Sequence, residues 1–387
     1  MAFDRISELP DPLLYQILSY LPIIDSVKTG VLSKRWEFLW LNVSSLDFNV
    51  RDISKPYRKL FASFVNKFLE LNRELRLQNL KIKYDECNIY PFPISGWIAI
   101  AVDRRKLQHL DLEIDNFMYM IDFIPVSVFK SKTLVSLKLV RVAIKNKFGL
   151  VVSLPCLKIM HLENIRYCCK DCHIIMEQLI SGCPVLEDLN MVRNGRDFLK
   201  TLCVRSQTLK IFCLTFDVGI GSTDYSVEID APRLEYMSFK DNQSDRIVVK
   251  NLTSLFKIHV DTDFMVKFGG SPLEPEDLRK RDTIRDFLIG ISSVRHMIIS
   301  QRTLEILYRY SKLGPIPKLD KLHHLQATFS SSSLQLLPAF LESCPNLKNL
   351  ILEFSVSNEP EQINFPNVPP CLTSTLEYVE IKKLIMR

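Results

Sequence analysis

Cys168, Cys169, Cys172 and His173 concentrate more potential chemistry in six residues than any other stretch of the chain. Cys169, Cys172 and His173 spell Cys-x-x-Cys-His, the spacing that attaches haem covalently. With Cys168 they also offer the thiolates and imidazole of a metal site. Each use needs a context that is missing. Covalent haem attachment requires an exported apoprotein, and Met1-Ala2-Phe3-Asp4-Arg5 has no basic region leading into an apolar run. A structural zinc site normally draws on two separated ligand pairs, whereas these four residues are crowded together. The stretch reads as a cysteine-rich linker into a helix at Ile174, with a haem or metal redox protein as the remote alternative. No metal and no cofactor are expected.

Other catalytic signatures fail in the same way. There is no nucleophile elbow and no helical His-Glu-x-x-His, and Gly219-Ile220-Gly221-Ser222 lacks the third glycine and the Lys-Ser/Thr ending of a phosphate loop. His323-His324 stands immediately before a strand leucine, a surface position rather than a ligand pair. The chain is therefore read as a non-enzyme. Its net charge of +6 is dispersed, and only Arg279-Lys280-Arg281 is clustered. That cluster reads as a solvated loop rather than a phosphate-binding patch, so nucleic acid is not an expected partner. No apolar window reaches the 18 residues of a membrane span; the best, Phe117 to Phe129, is broken by Asp122 and Pro125. Ten unpaired-looking cysteines in 387 residues point to a reducing compartment, cytosol or nucleus.

With little chemistry of its own, the chain is best read through its elements. Residues 4 to 40 predict three short helices. Asp11 is placed to cap the first, with Pro12 at its first position and Leu13, Leu14, Ile17, Leu18 and Leu21 at helical spacing up to Pro22. Asp25 is placed to cap a second carrying Val27 and Val31, and Ser33 a third on which Trp36, Leu39 and Trp40 share a face. Some forty residues cannot bury so many large apolar groups alone. Part of this surface must meet either the rest of the chain or another protein, and the pattern by itself leaves both open.

The ordered run Asp4-Arg5-Ile6-Ser7, Leu9-Pro10-Asp11, Leu13-Leu14, Ile17-Leu18-Ser19 and Leu21-Pro22 resembles the opening of an F-box. It continues through Val27, Thr29, Val31-Leu32-Ser33-Lys34-Arg35-Trp36 and Leu39-Trp40 in the form typical of a large plant family. The resemblance implies docking on a Skp-type adaptor, and through it on a cullin scaffold and its ubiquitin-conjugating enzyme. Carried over residue by residue, it implies that Leu9 and Pro10 anchor the leading loop. Ile17, Leu18, Leu21 and Pro22 would fill the adaptor's groove, Val31, Leu32 and Trp36 would extend the contact, and Trp40 would help lock the module to the next segment of the chain. Leu14 and Leu39 are expected to be internal core.

From about residue 75 a second pattern takes over: an apolar residue, two others, an apolar residue, one other, an apolar residue. It appears as Leu77-Leu80-Ile82, Leu107-Leu110-Leu112, Leu134-Leu137-Leu139, Leu157-Met160-Leu162, Leu186-Leu189-Met191 and Leu209-Phe212-Leu214. It continues as Leu234-Met237-Phe239, Leu255-Ile258-Val260, Val294-Met297-Ile299, Leu322-Leu325-Ala327, Leu347-Leu350-Leu352 and Leu376-Val379-Ile381. The early units are spaced 21 to 30 residues apart, the period of leucine-rich repeats. On a strand the last two positions of each triple point to the same side, into a core. Returns through amphipathic helices are predicted where Ile175, Met176, Leu179, Ile180 and Cys183, or Leu337, Phe340, Leu341 and Cys344, form stripes. Pro184 and Pro345 then stop the helices, making Cys183 and Cys344 core residues rather than reactive thiols.

The predicted fold is thus α/β: a short three-helix F-box module followed by a leucine-rich-repeat solenoid, with parallel strands on the concave face and helices and loops outside. Its expected divisions are 1–45 (F-box), 46–75 (helical link), 76–333 (repeats) and 334–387. Within the repeats, 262–293 reads as an irregular insertion, a disordered bulge in preference to a functional loop. The last part resembles the FBD region of plant F-box proteins, carried by Cys344-Pro345-Asn346-Leu347, Phe365-Pro366-Asn367-Val368-Pro369-Pro370-Cys371-Leu372 and Leu376-Glu377-Tyr378-Val379-Glu380-Ile381. Ending at Arg387, it is expected to be truncated and under-capped. Asp111, Lys138, His161, Asn190, Cys213, Ser238 and His259 should face outward from the strands. This mixed set favours a protein or shaped ligand as target, with no charge stripe or aromatic ladder. The resemblance implies a substrate receptor of a ubiquitin ligase; the alternative is a repeat scaffold acting without a ligase, capped by its first forty residues.

Overall fold

The computed structural model describes residues 5–71, 76–84, 92–114, 124–145, 151–168, 172–218, 225–266, 275–330, 333–355 and 368–384. It divides into two compact units, Met1–Leu186 and Glu187–Arg387.

In the first unit, five strands lie side by side and parallel: Ser45–Asn49, Asn79–Tyr84, His109–Ile114, Ser136–Val140 and Ile159–Glu163. Their register stacks the predicted triples. Leu46, Leu80, Leu110, Leu137 and Met160 make one row, and Phe48, Ile82, Leu112, Leu139 and Leu162 the next. Every one of them is buried. Alternation along a strand makes this possible, because residues two apart point the same way. Each such side chain contributes about 1.5–3 kcal/mol on full burial, against an ordering cost of about 1–2 kcal/mol per residue. No strand is stable without its neighbours, which is why the pattern must repeat.

The helical link expected over 46–75 is more than a link. Ser45–Asn49 is the outermost strand of this sheet, and only after it does the chain form the helix Arg58–Leu71. The strand carries the same spacing as the others, Val43-Leu46-Phe48, and all three residues are buried. Phe48 meets Trp97 of the helix Ile94–Asp103 edge-on at 5.6 Å, tying the first strand to the helical layer.

In the second unit eight parallel strands continue the motif: Asp188–Asn194, Ile211–Val218, Tyr236–Asp241, Lys257–Asp261, His296–Ile299, His324–Phe329, Asn349–Ser355 and Tyr378–Leu384. Leu189, Phe212, Met237, Ile258, Met297, Leu325, Leu350 and Val379 form one register row. The returning segments of this unit's first repeats are strands, where the sequence predicts helices or loops outside the sheet. Thr201–Arg205, Tyr225–Asp230 and Ser244–Lys250 form a second parallel sheet of three strands. Alternating Leu202/Val204, Val227/Ile229 and Ile247/Val249 suit a pleated half-buried surface, and these residues are buried.

Of the segment 262–293, residues 267–274 lie outside the described residues; the described remainder is a turn and a helix where the sequence favours a disordered bulge. Pro275–Gly290 is a helix. Its Phe287 packs at 5.9 Å from Phe239 and 5.3 Å from Phe264. Lys280, by sequence part of a solvated basic cluster, is buried instead. Its ammonium donates to the carbonyls of Asp245 and Phe264, both at 2.9 Å, and pairs with the Asp245 carboxylate at 2.7 Å. Phe264 and Met265 take left-handed backbone at φ 53° and 51°. Thr262 Oγ1 and Asp263 Oδ1 hold that bend by accepting the amide hydrogens of Phe264 and Met265. A buried cation thus closes a turn that local sequence cannot specify.

At the far end the strand Tyr378–Leu384 pairs with Asn349–Ser355, yet Val379 and Ile381 of the inward rows remain half or more exposed. Cys183 and Cys344 are buried as expected, and burial pushes the Cys183 thiol up to about 12 and that of Cys344 higher still.

Candidate protein-interaction surface

The first forty residues fold as two helices, Asp11–Leu18 and Ile23–Lys28, followed by 3₁₀ turns at Thr29–Val31 and Leu39–Asn42. The third predicted helix is therefore a set of turns. The caps differ too. Prolines 10 and 22 occupy the N-cap positions without side-chain bonds, Pro12 sits inside the first turn, and Asp25 lies in the first turn of its helix, paired with Lys28 at 2.7 Å. Asp11 instead binds the Arg35 guanidinium at 3.1 Å, and Arg35 also donates to the Leu9 carbonyl. The indole of Trp36 donates to Ser7 Oγ at 2.7 Å, and Ser26 Oγ donates to the Leu18 carbonyl at 2.9 Å. These bonds fold the second half of the module back on its leading loop.

The module's core is Leu14, Leu18, Ile23, Trp36, Leu39 and Val43, all buried. Leu14 and Leu39 are where the sequence places them. Leu18 and Trp36, expected at the adaptor contact, lie inside instead. On a helix, residues four apart share a face, so when Leu14 turns inward Leu18 must go with it. The other stripe then faces out: Leu13 is 47% exposed, Ile17 42% and Leu21 38%. Pro10, Pro22, Val31 and Leu32 are exposed, with Val31 at 88%, and Leu9 is half-buried. Trp40 is half-buried, its ring 5.2 Å from Phe64 of the helix Arg58–Leu71 and its indole donating to the Glu37 carbonyl at 2.9 Å.

Ile6, Leu13, Tyr20 and Phe38 are further exposed apolar residues of the module, outside the contact set that the resemblance implies. A signal existed for Leu13, which stands four before Ile17 and eight before Leu21. So many large apolar groups facing water on so small a module mark an interaction site.

The outward residues of the repeat strands form a second candidate surface. Asp111, Lys138, His161, Asn190, Cys213, Ser238 and His259 are all half-exposed, as their alternation with the buried rows requires. In the first unit this face neutralises itself. Lys81 pairs with Asp47 at 3.0 Å and Lys138 with Asp111 at 3.3 Å, while Glu113 receives both Lys83 at 3.1 Å and Arg141 at 2.8 Å. Burial works to raise the Glu113 pKa, but the hydrogen bonds from Lys83 and Arg141 prevail and hold it below the usual carboxylate value.

Little supports chemistry elsewhere. Among the described residues no group of three or more His, Cys, Asp or Glu is placed to hold a metal, and no helix is long and apolar enough to cross a membrane. Of the cysteine stretch, Cys168 ends the short strand Arg166–Cys168 and Cys172 begins the helix Cys172–Ser181, while residues 169–171 lie outside the described residues.

Comparison with known proteins agrees with this geometry. The F-box domain family matches residues 6–48, and the family of the LRR repeats of FBD-associated F-box protein At5g56370 matches residues 94–255. Across the whole chain it is 64% identical to the putative F-box/FBD/LRR-repeat protein At5g44950 of Arabidopsis thaliana and 58% identical to F-box/FBD/LRR-repeat protein At2g26030 from the same plant, covering 87% of each. Over 99% of its length it is 48% identical to the Arabidopsis FBD-associated F-box protein At5g27750, covering 86% of that relative.

Proposed function

The chain belongs to the plant F-box/FBD/LRR-repeat family, and on that premise we propose that it is the substrate-recognition subunit of a Skp-cullin-F-box ubiquitin ligase. An F-box joined to leucine-rich repeats is the build of a substrate adaptor. In this reading the F-box docks on a Skp-type adaptor, the adaptor joins a cullin, and the repeats hold a target protein in the cytosol or nucleus. Ubiquitin transfer is the partners' chemistry. The chain contributes proximity, raising the effective concentration of target lysines near the conjugating enzyme.

The observation carrying this reading is the apolar surface that the module leaves uncovered after satisfying its own core. Leu13 and Ile17 share the outer face of the helix Asp11–Leu18, and Leu21, Val31 and Leu32 beyond its end are exposed as well. The adaptor contact is assigned to these residues with Leu9, Pro10 and Pro22, while Leu18 and Trp36 support it from behind and Trp40 ties the module to the helix Arg58–Leu71. Full burial of such side chains is worth about 1.5–3 kcal/mol each, enough for a stable complex after association costs.

The test is co-purification with a Skp-type adaptor, comparing the native chain with a Val31→Asp, Leu32→Asp variant whose exposed sites cost the fold nothing. Retention by the native chain and loss in the folded variant is the expected result. If the native chain retains no adaptor, the ligase reading fails. A repeat scaffold would then stand, with the first forty residues as its cap.

A further inference from the structure

We infer that the outward face of the second unit's sheet around Tyr236, Phe256, Lys257, Arg295, His296 and His324 is the docking site for an acidic peptide segment of the target, anchored by an aromatic or apolar side chain. The inference rests on the substrate-receptor reading and gives its target site a chemistry.

The geometry comes from the strand register. Tyr236, Lys257, His296 and His324 occupy one row across four neighbouring strands. With strands about 4.8 Å apart, this row spans about 14 Å, the reach of a few extended residues. Its members alternate with buried Met237, Ile258, Met297 and Leu325, so they point away from the core. The rings form a ladder. Phe256 and His296 lie 4.6 Å apart, His296 and His324 are stacked at 5.3 Å, and the Lys257 ammonium stands 5.9 Å from the centre of Tyr236. Phe256 is 47% exposed, leaving much of its ring surface open to a partner. Sequence reasoning missed this ladder by following only the positions between the inward residues.

Charge supplies the sign of the partner. Neither Lys257 nor Arg295 has an ion-pair partner among the described residues, whereas Lys81 and Lys138 of the first unit's face are each held by a carboxylate. The glutamates at the strand starts do not pair with Lys257 or Arg295. Glu187 pairs with Lys210 at 3.2 Å and Glu377 with Lys348 at 2.9 Å, and Glu235 forms no ion pair with either cation. Burial holds the His296 imidazole below its ordinary pKa. His324, Lys257, His323 and Arg295 act the same way. The patch thus combines near-neutral stacked rings with two uncompensated cations, which suits carboxylates flanking a flat apolar group. A nucleic acid is disfavoured, because two free cations bounded by glutamates do not make a phosphate track.

The experiment uses the full chain with its adaptor and a fluorescent peptide of about twelve residues in which glutamates flank a tryptophan. Its controls are the same peptide with lysine for glutamate, and a short single-stranded oligonucleotide. Anisotropy should show the acidic peptide bound, weakened about tenfold or more by Lys257→Glu with Arg295→Glu, and weakened by added salt. Phe256→Ala should cost several-fold, and Lys81→Ala, on the other unit, nothing. Urea midpoints verify folding, and Lys257→Ser with Arg295→Ser replaces the charge reversal should that variant not fold. No binding of the acidic peptide, equal binding by the double variant, or tighter binding of the oligonucleotide overturns the inference. Adaptor retention, measured on the same preparations, separates this failure from failure of the ligase reading.

Discussion

Ile17 and Leu18 are adjacent on one short helix, and the structure assigns them opposite work. Leu18 is 1% exposed and Ile17 42%. Truncating Leu18 to alanine removes core methyls and leaves a cavity, at about 2–5 kcal/mol of stability. Truncating Leu13, Ile17 and Leu21 together removes groups whose remaining exposure, 47%, 42% and 38%, is what an adaptor would cover. At about 1.5–3 kcal/mol for a fully buried aliphatic side chain, the uncovered part is worth about 1 kcal/mol each. The triple variant should therefore lose about 3 kcal/mol of adaptor binding, about a hundredfold in Kd. On the same scale the part of each side chain already covered in the free module is worth about as much again. The triple variant's own stability should therefore also fall, by about 3 kcal/mol, and affinity is compared per folded molecule. Titration calorimetry with the purified adaptor reads the first quantity, and urea unfolding the second. Leu18→Ala should show a lowered urea midpoint with native affinity per folded molecule. If Leu18→Ala weakens binding more than the triple variant at equal folded fraction, the division of the helix into a core stripe and a contact stripe is wrong.

Lys280→Met should destabilise the second unit by about 3 kcal/mol, since it leaves two carbonyls without their donor and the Asp245 carboxylate with only the more distant Arg279 at 3.6 Å. Hydrogen exchange over Pro275–Gly290 should accelerate with it, and an unchanged urea midpoint would refute the assigned role. The depressed pKa of Glu113 means that its ionised form favours the folded state. That contribution is complete above the unfolded value of about 4.3 and is lost as pH falls through the lower folded value, so Glu113→Gln should lower stability at pH 7 and flatten the acid-induced decline. A parallel pH profile for variant and native chain would contradict this. Cys156 is exposed, whereas Cys183 and Cys344 are buried with raised thiol pKa values. Mass mapping after brief alkylation should find Cys156 modified in the native chain, and Cys183 and Cys344 only after unfolding.

The repeat is legible in the sequence because its signal is local. Each inward triple needs only a strand's alternation and one fixed offset, and all twelve triples lie at the inward rows of the parallel strands. The thirteenth, Val43-Leu46-Phe48, has the same spacing but comes directly after the helical module, where it passes for part of a link. The motif from Asp4 to Trp40 is equally plain, as a string of residue types.

Orientation is not legible. Leu13/Ile17 and Leu14/Leu18 are interleaved apolar pairs, and nothing within the helix says which turns inward. Only the folded module does, where Leu14 and Leu18 are buried along with Ile23, Trp36 and Leu39. Lys280 likewise reads as surface until Asp245 and the Phe264 carbonyl, distant in sequence, are brought around it. The ladder from Phe256 to His324 exists only because three strands stand in register. Sequence alone determined the period and the composition of each face, since a few consecutive residues suffice to set both. Tertiary structure decided which face meets water and which charges find partners, because those depend on groups that approach only when the strands stack.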